Sequence, residues 1–171
     1  MLRLLIISLG TLAATEAVAA CRPGEDLFFS CVFAGGKEVR VCNTDQYARY
    51  DFGVPGNVPE LSLSVPIEDV HLTPWPGVGR TIWEEVRFDN EGYGYVVFGA
   101  IHREYPEDEN ADIIVTKSGG INVLKGEDSV ATLSCLEDSI EFPWDDRIYA
   151  AKIEAGQCYD DREFLWTFCT E

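Results

Sequence analysis

The stretch ELSLSV, Glu60 to Val65, alternates without a break. Leu61, Leu63 and Val65 project to one side of an extended chain, and Ser62 and Ser64 to the other. That predicts a strand with one dry face and one wet face. Period-two patterning of this kind recurs along the chain, while helical periodicity is scarce. Leu27–Phe33 and Glu38–Cys42 flank Gly35-Gly36 and predict a hairpin. A further strand is expected over Gln46–Phe52, ending at Gly53 and Pro55. Ile82–Phe88 and Tyr93–Ile101 flank Asp-Asn-Glu-Gly, a second hairpin turn. Both faces of Tyr93–Phe98 are apolar or aromatic, the mark of a central strand. Ala111–Lys117 and Ile121–Leu124 flank Ser118-Gly119-Gly120, which reads as a third hairpin, and Val130–Cys135 closes the series. Short strands joined by tight turns predict a mainly β fold, an antiparallel β-sandwich or small β-barrel of about 8–10 strands.

Two loops interrupt the strands. Thr73–Gly79, TPWPGVG, is rich in proline and glycine, but neither side of it has enough strands to close a core alone. Tyr105–Asp112, YPEDENAD, is acidic and expected to be exposed. The end of the chain differs. Arg147–Ala155 is patterned as a short helix with Gly156 as its stop. Cys158 and Cys169 bracket a last segment, a strand or a loop tied down by a disulfide. One β domain over 21–171 is the expected organisation.

Residues 1–20 are of another kind. Arg3 precedes an apolar run from Leu4 to about Ala14, and the segment exits through Ala17-Val18-Ala19-Ala20. This is the layout of a secretory signal peptide, cut after Ala19 or Ala20. The apolar run is too short to span a bilayer, which takes roughly 20 residues. A periplasmic or secreted location follows. Ala19-Ala20-Cys21 also resembles the lipobox of bacterial lipoproteins, in which Cys21 would carry a lipid. Val18 stands where that motif prefers leucine, and lipidating Cys21 would leave an odd number of thiols.

Export places Cys21, Cys31, Cys42, Cys135, Cys158 and Cys169 in an oxidising compartment, where they are expected to form disulfides. They contain no C-x-x-C pair, and neither histidine lies at a ligand interval from a cysteine, so no metal site or redox pair is expected. The Gly-Gly turn decides the pairing of the first three. A two-residue turn sets Cys31 opposite Arg40, diagonal to Cys42 and too far for a bridge. A four-residue loop, Gly35–Glu38, sets Cys31 directly opposite Cys42. With the tighter turn, Cys135 is the natural partner for Cys31 or Cys42. Cys158 with Cys169 is the best local pair.

Charge narrows the partners. With 30 acidic and 13 basic residues the chain carries −17, and Arg3 and Glu16 cancel within the leader. Such a field repels nucleic acid and anionic lipid and suits a basic protein or plain solubility. Chemistry is harder to find. His71 and His102 are the only histidines, and neither stands in a nucleophile motif. The candidate acids for glycoside chemistry include Glu84, Glu85, Asp89 and Asp145-Asp146. Glu84 shares its strand face with Ile82, Val86 and Phe88, and a buried acid needs a partner. A small bulge at Glu84-Glu85 is the simpler expectation. Asp108, Asn110 and Asp112 alternate like the opening of a calcium loop, but the glycine and closing glutamate are missing. No cofactor, no nucleic-acid partner and no membrane span in the mature chain are expected. The aromatic loop residues Trp75 and Trp144 are the candidate interaction residues, since aromatics supply much of the energy of interfaces.

The segments LFFSCVFAGGKEVRVC, YARYDFG, PELSLSVP and ADIIVTKSGGINVLKGEDSVATLSC resemble uncharacterised small exported proteins of Gram-negative bacteria. An early cysteine strand and the late ATLSC are also distantly similar to the periplasmic inhibitors of C-type lysozyme. Those are small antiparallel β-barrels that insert a loop carrying a Ser-Gly-x-x-Tyr element into the lysozyme cleft. Ser118-Gly119-Gly120 is the nearest counterpart here and lacks the tyrosine. Three readings remain, the first a non-enzymatic exported envelope protein that binds another protein or surface through its loops, and the second, sharper one a lysozyme inhibitor. A calcium binder or an acid-catalysed enzyme using the acidic loop residues is the third reading.

Overall fold

The structure is a computed structural model that describes residues 21–108 and 111–170. The expected leader, 1–20, and Asn110 of the acidic loop lie outside them. Eleven strands are formed among the described residues. β1 (Asp26–Val32), β2 (Glu38–Asn43), β3 (Tyr47–Gly53) and β4 (Leu61–Pro66) make one antiparallel meander. β5 (His71–Thr73), β6 (Thr81–Asn90), β7 (Tyr93–Glu104), β8 (Ile114–Lys125) and β9 (Asp128–Ser134) make a second. A helix, α1 (Arg147–Glu154), and a small hairpin, β10 (Gln157–Asp160) with β11 (Leu165–Phe168), complete the chain. The two larger sheets share one core, so the fold is a disulfide-stapled β-sandwich. Phe29, Val39, Val41 and Tyr50 come from the first sheet, and Val86, Phe88, Val97 and Ile121 from the second.

Sequence patterning and structure agree where the signal is local. β4 buries Leu61, Leu63 and Val65 by half and exposes Ser62 and Ser64. β7 is central, paired with β6 and β8. The turn at Glu91-Gly92 has positive φ at both residues, 50° and 81°. That is the form whose twist matches paired strands. α1 ends where expected, with Gly156 at φ 83° just past it.

One expected hairpin is absent. Ser118-Gly119-Gly120 lies in the middle of β8, which pairs without interruption with β7 from Tyr93↔Lys125 to Glu104↔Ile114. The glycines serve close packing, not reversal. A Cβ on Gly119 would lie 2.6 Å from the Phe29 ring, and one on its cross-strand neighbour Gly99 would lie 2.7 Å from the Phe142 ring. The actual reversal after β8 is at Gly126, φ 66°. Ser118 is therefore part of a strand and not of a hairpin loop.

The first hairpin takes neither expected register. Phe33 N–H donates to Lys37 O and Gly36 N–H to Phe33 O, both at 2.8 Å, which closes a three-residue loop, Ala34 to Gly36. Gly36 supplies the left-handed residue such loops use, at φ 76°. Cys31 then faces Val39, and Cys42 faces Leu27. The disulfides are Cys21–Cys42, Cys31–Cys135 and Cys158–Cys169. Bonded to Cys42, the Cys21 sulfur is not free to carry a lipid. Cys31–Cys135 joins the first sheet to the segment leaving the second. That segment runs on along β1, pairing Phe33 with Cys135 and Ser30 with Glu141. Three disulfides suit an oxidising compartment. No helix among the described residues is long and apolar enough to cross a membrane.

Candidate functional site

β6 puts Ile82, Glu84, Val86 and Phe88 on the buried face and Trp83, Glu85 and Arg87 on the other. The expected bulge at Glu84-Glu85 does not occur, because the ladder to β7 is continuous and pairs Glu84 with Gly99. Glycine there leaves room for the Phe142 ring. Glu84 is therefore a carboxyl on the core side of a sheet, 4% exposed.

The chain after Phe142 turns sharply over it. Trp144 and Asp146 both adopt left-handed backbone, φ 52° and 55°. That conformation is uncommon for residues with a side chain, and strain of this kind concentrates at functional sites. The two turns bring Trp144 against Trp75, ring centroids 5.7 Å apart and nearly perpendicular. Trp75 is itself pinned, its indole N–H donating to Val78 O at 2.9 Å. Asp146 precedes α1 but makes no capping bond. Asp145 is instead bound by Arg147 at 2.7 Å, which also reaches Asp26 at 2.7 Å.

The outcome is a cleft of about 570 Å³ between the β5–β6 loop, α1 and the β10 hairpin. Glu84, Asp146 and Asp161 are its acids. Pro74, Trp75, Pro76, Trp144, Tyr149 and Tyr159 form the rest of its lining. The tyrosines are backed by Trp166, 5.1 Å from each ring. Trp166 donates to Leu72 O at 2.8 Å. Beneath it Lys152 is fully buried and its Nζ donates to the carbonyls of Ile67, Glu68 and Val70 at 3.0, 3.2 and 2.7 Å. Burial lowers the Lys152 ammonium to about 8.

Burial, reinforced by the nearby charges of Asp146 and Asp145, raises the Glu84 carboxyl to about 8. That shift favours the neutral form of Glu84 at pH 7. The Tyr159 hydroxyl is also pushed up, by burial and by Asp161, and it is buried with no hydrogen-bond partner. Chemically, a carboxyl whose pKa is raised in this way is either a proton donor or a latent counter-charge for a cation.

The structure thus brings together Trp75, Trp144, Glu84 and Asp146, four residues singled out in the sequence from separate regions. Tyr149, Tyr159 and Asp161 had no signal in the sequence beyond their nearness to Cys158. Other candidates fall elsewhere. Ser118 lies on the outer face of the second sheet, 2.7 Å from His102 Nε2, and the Thr81 hydroxyl lies 3.1 Å from His102 Nδ1. This is a hydroxyl–imidazole–hydroxyl chain on an open sheet face, and Thr81 stands where a nucleophile relay would need a carboxylate. His71 is exposed on β5. Among the described residues, the one set of metal-type ligands close together is Cys21, Glu25 and Cys42. Its two sulfurs are bonded to each other, so it offers no thiolate. Comparison with protein families, with curated proteins and with solved structures finds no match.

Proposed function

We propose that this protein is an exported, non-enzymatic binding module that engages a basic protein through the acidic aromatic cleft at Trp75 and Trp144. The observation that carries the reading is the union, in one cleft, of two tryptophans and three acids on a chain of net charge −17. Half-buried aromatics set among acids are the make-up of an anchor for a positively charged partner. The wider field raises the rate of encounter. A lysozyme is one strongly basic protein that fits, and the net charge alone supports that narrower reading.

The test is affinity capture from envelope extract with the disulfides intact, comparing wild type with a Trp75→Ala/Trp144→Ala variant. A basic protein held by wild type, and released by salt and by the double substitution, supports the proposal. Capture that is indifferent to both substitutions and to salt refutes it. A lysis assay with a C-type lysozyme decides the narrower reading.

A further inference from the structure

We propose that the cleft around Glu84 is a binding site for an organic cation, the ammonium or guanidinium end of a lysine or arginine side chain. The inference deepens the reading above, since it rests on the same cleft facing the partner. Its ground is a missing charge. Among the described residues Glu84, 4% exposed and lining the cleft, forms no hydrogen bond or ion pair, and the buried hydroxyl of Tyr159, which lines the same cleft, has no hydrogen-bond partner. Buried polar groups are almost always paired, and exceptions call for an explanation.

The neighbouring cations are engaged elsewhere. Arg147 is taken by Asp145 and Asp26, and Lys152 by three carbonyls. Arg103 lies 6.0 Å from the Trp75 ring centre and donates to the Arg80 and Gly79 carbonyls. None of these pairs with Glu84, Asp146 or Asp161. The walls are indole and phenol rings, whose faces attract cations. The volume exceeds what a lone ammonium fills and suits a side chain with its adjoining backbone. A calcium ion would need six to eight oxygens, and rings and prolines supply few. A neutral sugar can stack on the same tryptophans but brings no charge to the acids.

The acids make binding pH-dependent. A cation beside Glu84 favours its carboxylate, so binding expels the proton that burial retains. Asp145, Asp146 and Tyr149 face Glu84 from α1 and the turn before it, Tyr159 and Asp161 from the hairpin, and Arg103 stands behind Trp75. Affinity for a cation therefore rises from pH 6 to pH 8, by up to about tenfold per unit. Affinity for a neutral ligand does not.

The experiment is an NMR titration of the disulfide-intact protein, read at the Trp75 and Trp144 indole N–H signals. The probes are acetyl-Gly-Lys-Gly-amide, acetyl-Gly-Arg-Gly-amide, the norleucine analogue, chitotriose and calcium chloride. A lysine or arginine peptide that moves both signals, and binds at least fivefold tighter at pH 8 than at pH 6, supports the proposal. So does loss of that pH dependence in Glu84→Gln and weaker binding in Asp146→Asn, whose exposed side chain leaves the fold intact. Equal binding of the norleucine peptide overturns it. Saturation by chitotriose or calcium alone also overturns it, as does cation affinity that is flat with pH. Failure here with a basic protein still captured from extract leaves the partner reading standing. Peptide binding with no basic protein captured defeats that reading and spares this one.

Discussion

Replacing Glu84 by glutamine keeps the shape of the side chain and removes its titration. In the folded protein the carboxyl ionises near 8, and the ordinary value, 4.5, applies once the chain unfolds. Below pH 4.5 the group is protonated in both states and favours neither. Between 4.5 and 8 the unfolded chain has released the proton and the native state has not, so stability falls as pH rises. The slope is about 1.4 kcal/mol per pH unit, which makes the loss about 3 kcal/mol between pH 5 and 7.5. Above pH 8 the loss levels off. Glutamine leaves a neutral buried group at every pH, so its own packing cost shifts the curve without tilting it. The assay is equilibrium urea unfolding of both proteins at half-unit steps from pH 5 to 8, disulfides intact. The difference in unfolding free energy should move by about 3 kcal/mol in favour of the variant across that range. The midpoint shift should be on the order of 1 M urea, given slopes of 1–3 kcal/mol per molar for small proteins. A difference that stays constant within about 0.5 kcal/mol would refute the argument. Glu84 would then be ionised and paired in solution, and the cleft would already hold its counter-charge.

Three further outcomes test the fold around the site. Removing Cys31–Cys135, which spans 104 residues, should cost about 4–5 kcal/mol on chain-entropy grounds. Removing Cys158–Cys169, which spans 11, should cost about 3 kcal/mol, so thermal unfolding of the two double-alanine variants should rank them in that order. Gly119→Ala sets a methyl 2.6 Å from the Phe29 ring and against the Phe98 carbonyl, and should destabilise by about 1–3 kcal/mol in the same unfolding assay. Glu25 is held down to about 2 by Arg49 first, with help from Arg22 and Tyr47, against a burial effect that opposes them. Its contribution is present above pH 4.5 and is lost as pH falls towards 2. Glu25→Gln should therefore flatten the acid limb of a stability–pH curve by up to about 3 kcal/mol.

Several features were legible from residues alone because their cause is local. The alternation in ELSLSV, the turn residues before Tyr93 and the glycine after α1 each act over a few bonds, and each appears as expected. The identity of Glu84 as an acid on an apolar face was likewise visible from its spacing to Ile82 and Val86. Glycines mislead where their use is long-range. Gly119 reads as a turn, but its lack of a side chain serves the Phe29 ring arriving from the other sheet. The pairing of Cys31 turned on a loop of three residues, a count that composition at Gly35-Gly36 leaves open.

Strand content, an even set of oxidised cysteines and the acidic balance were therefore properties of the sequence by itself. They depend on neighbours in the chain or on totals. The cleft was decided only by the tertiary structure. Trp75 and Trp144 lie on loops whose meeting depends on how β6 and the chain before α1 pack, and Glu84 sits in an unbroken ladder opposite Gly99. Contacts between distant segments are set by the packing of the whole core, and no local pattern encodes which of many acids will be left there without a partner.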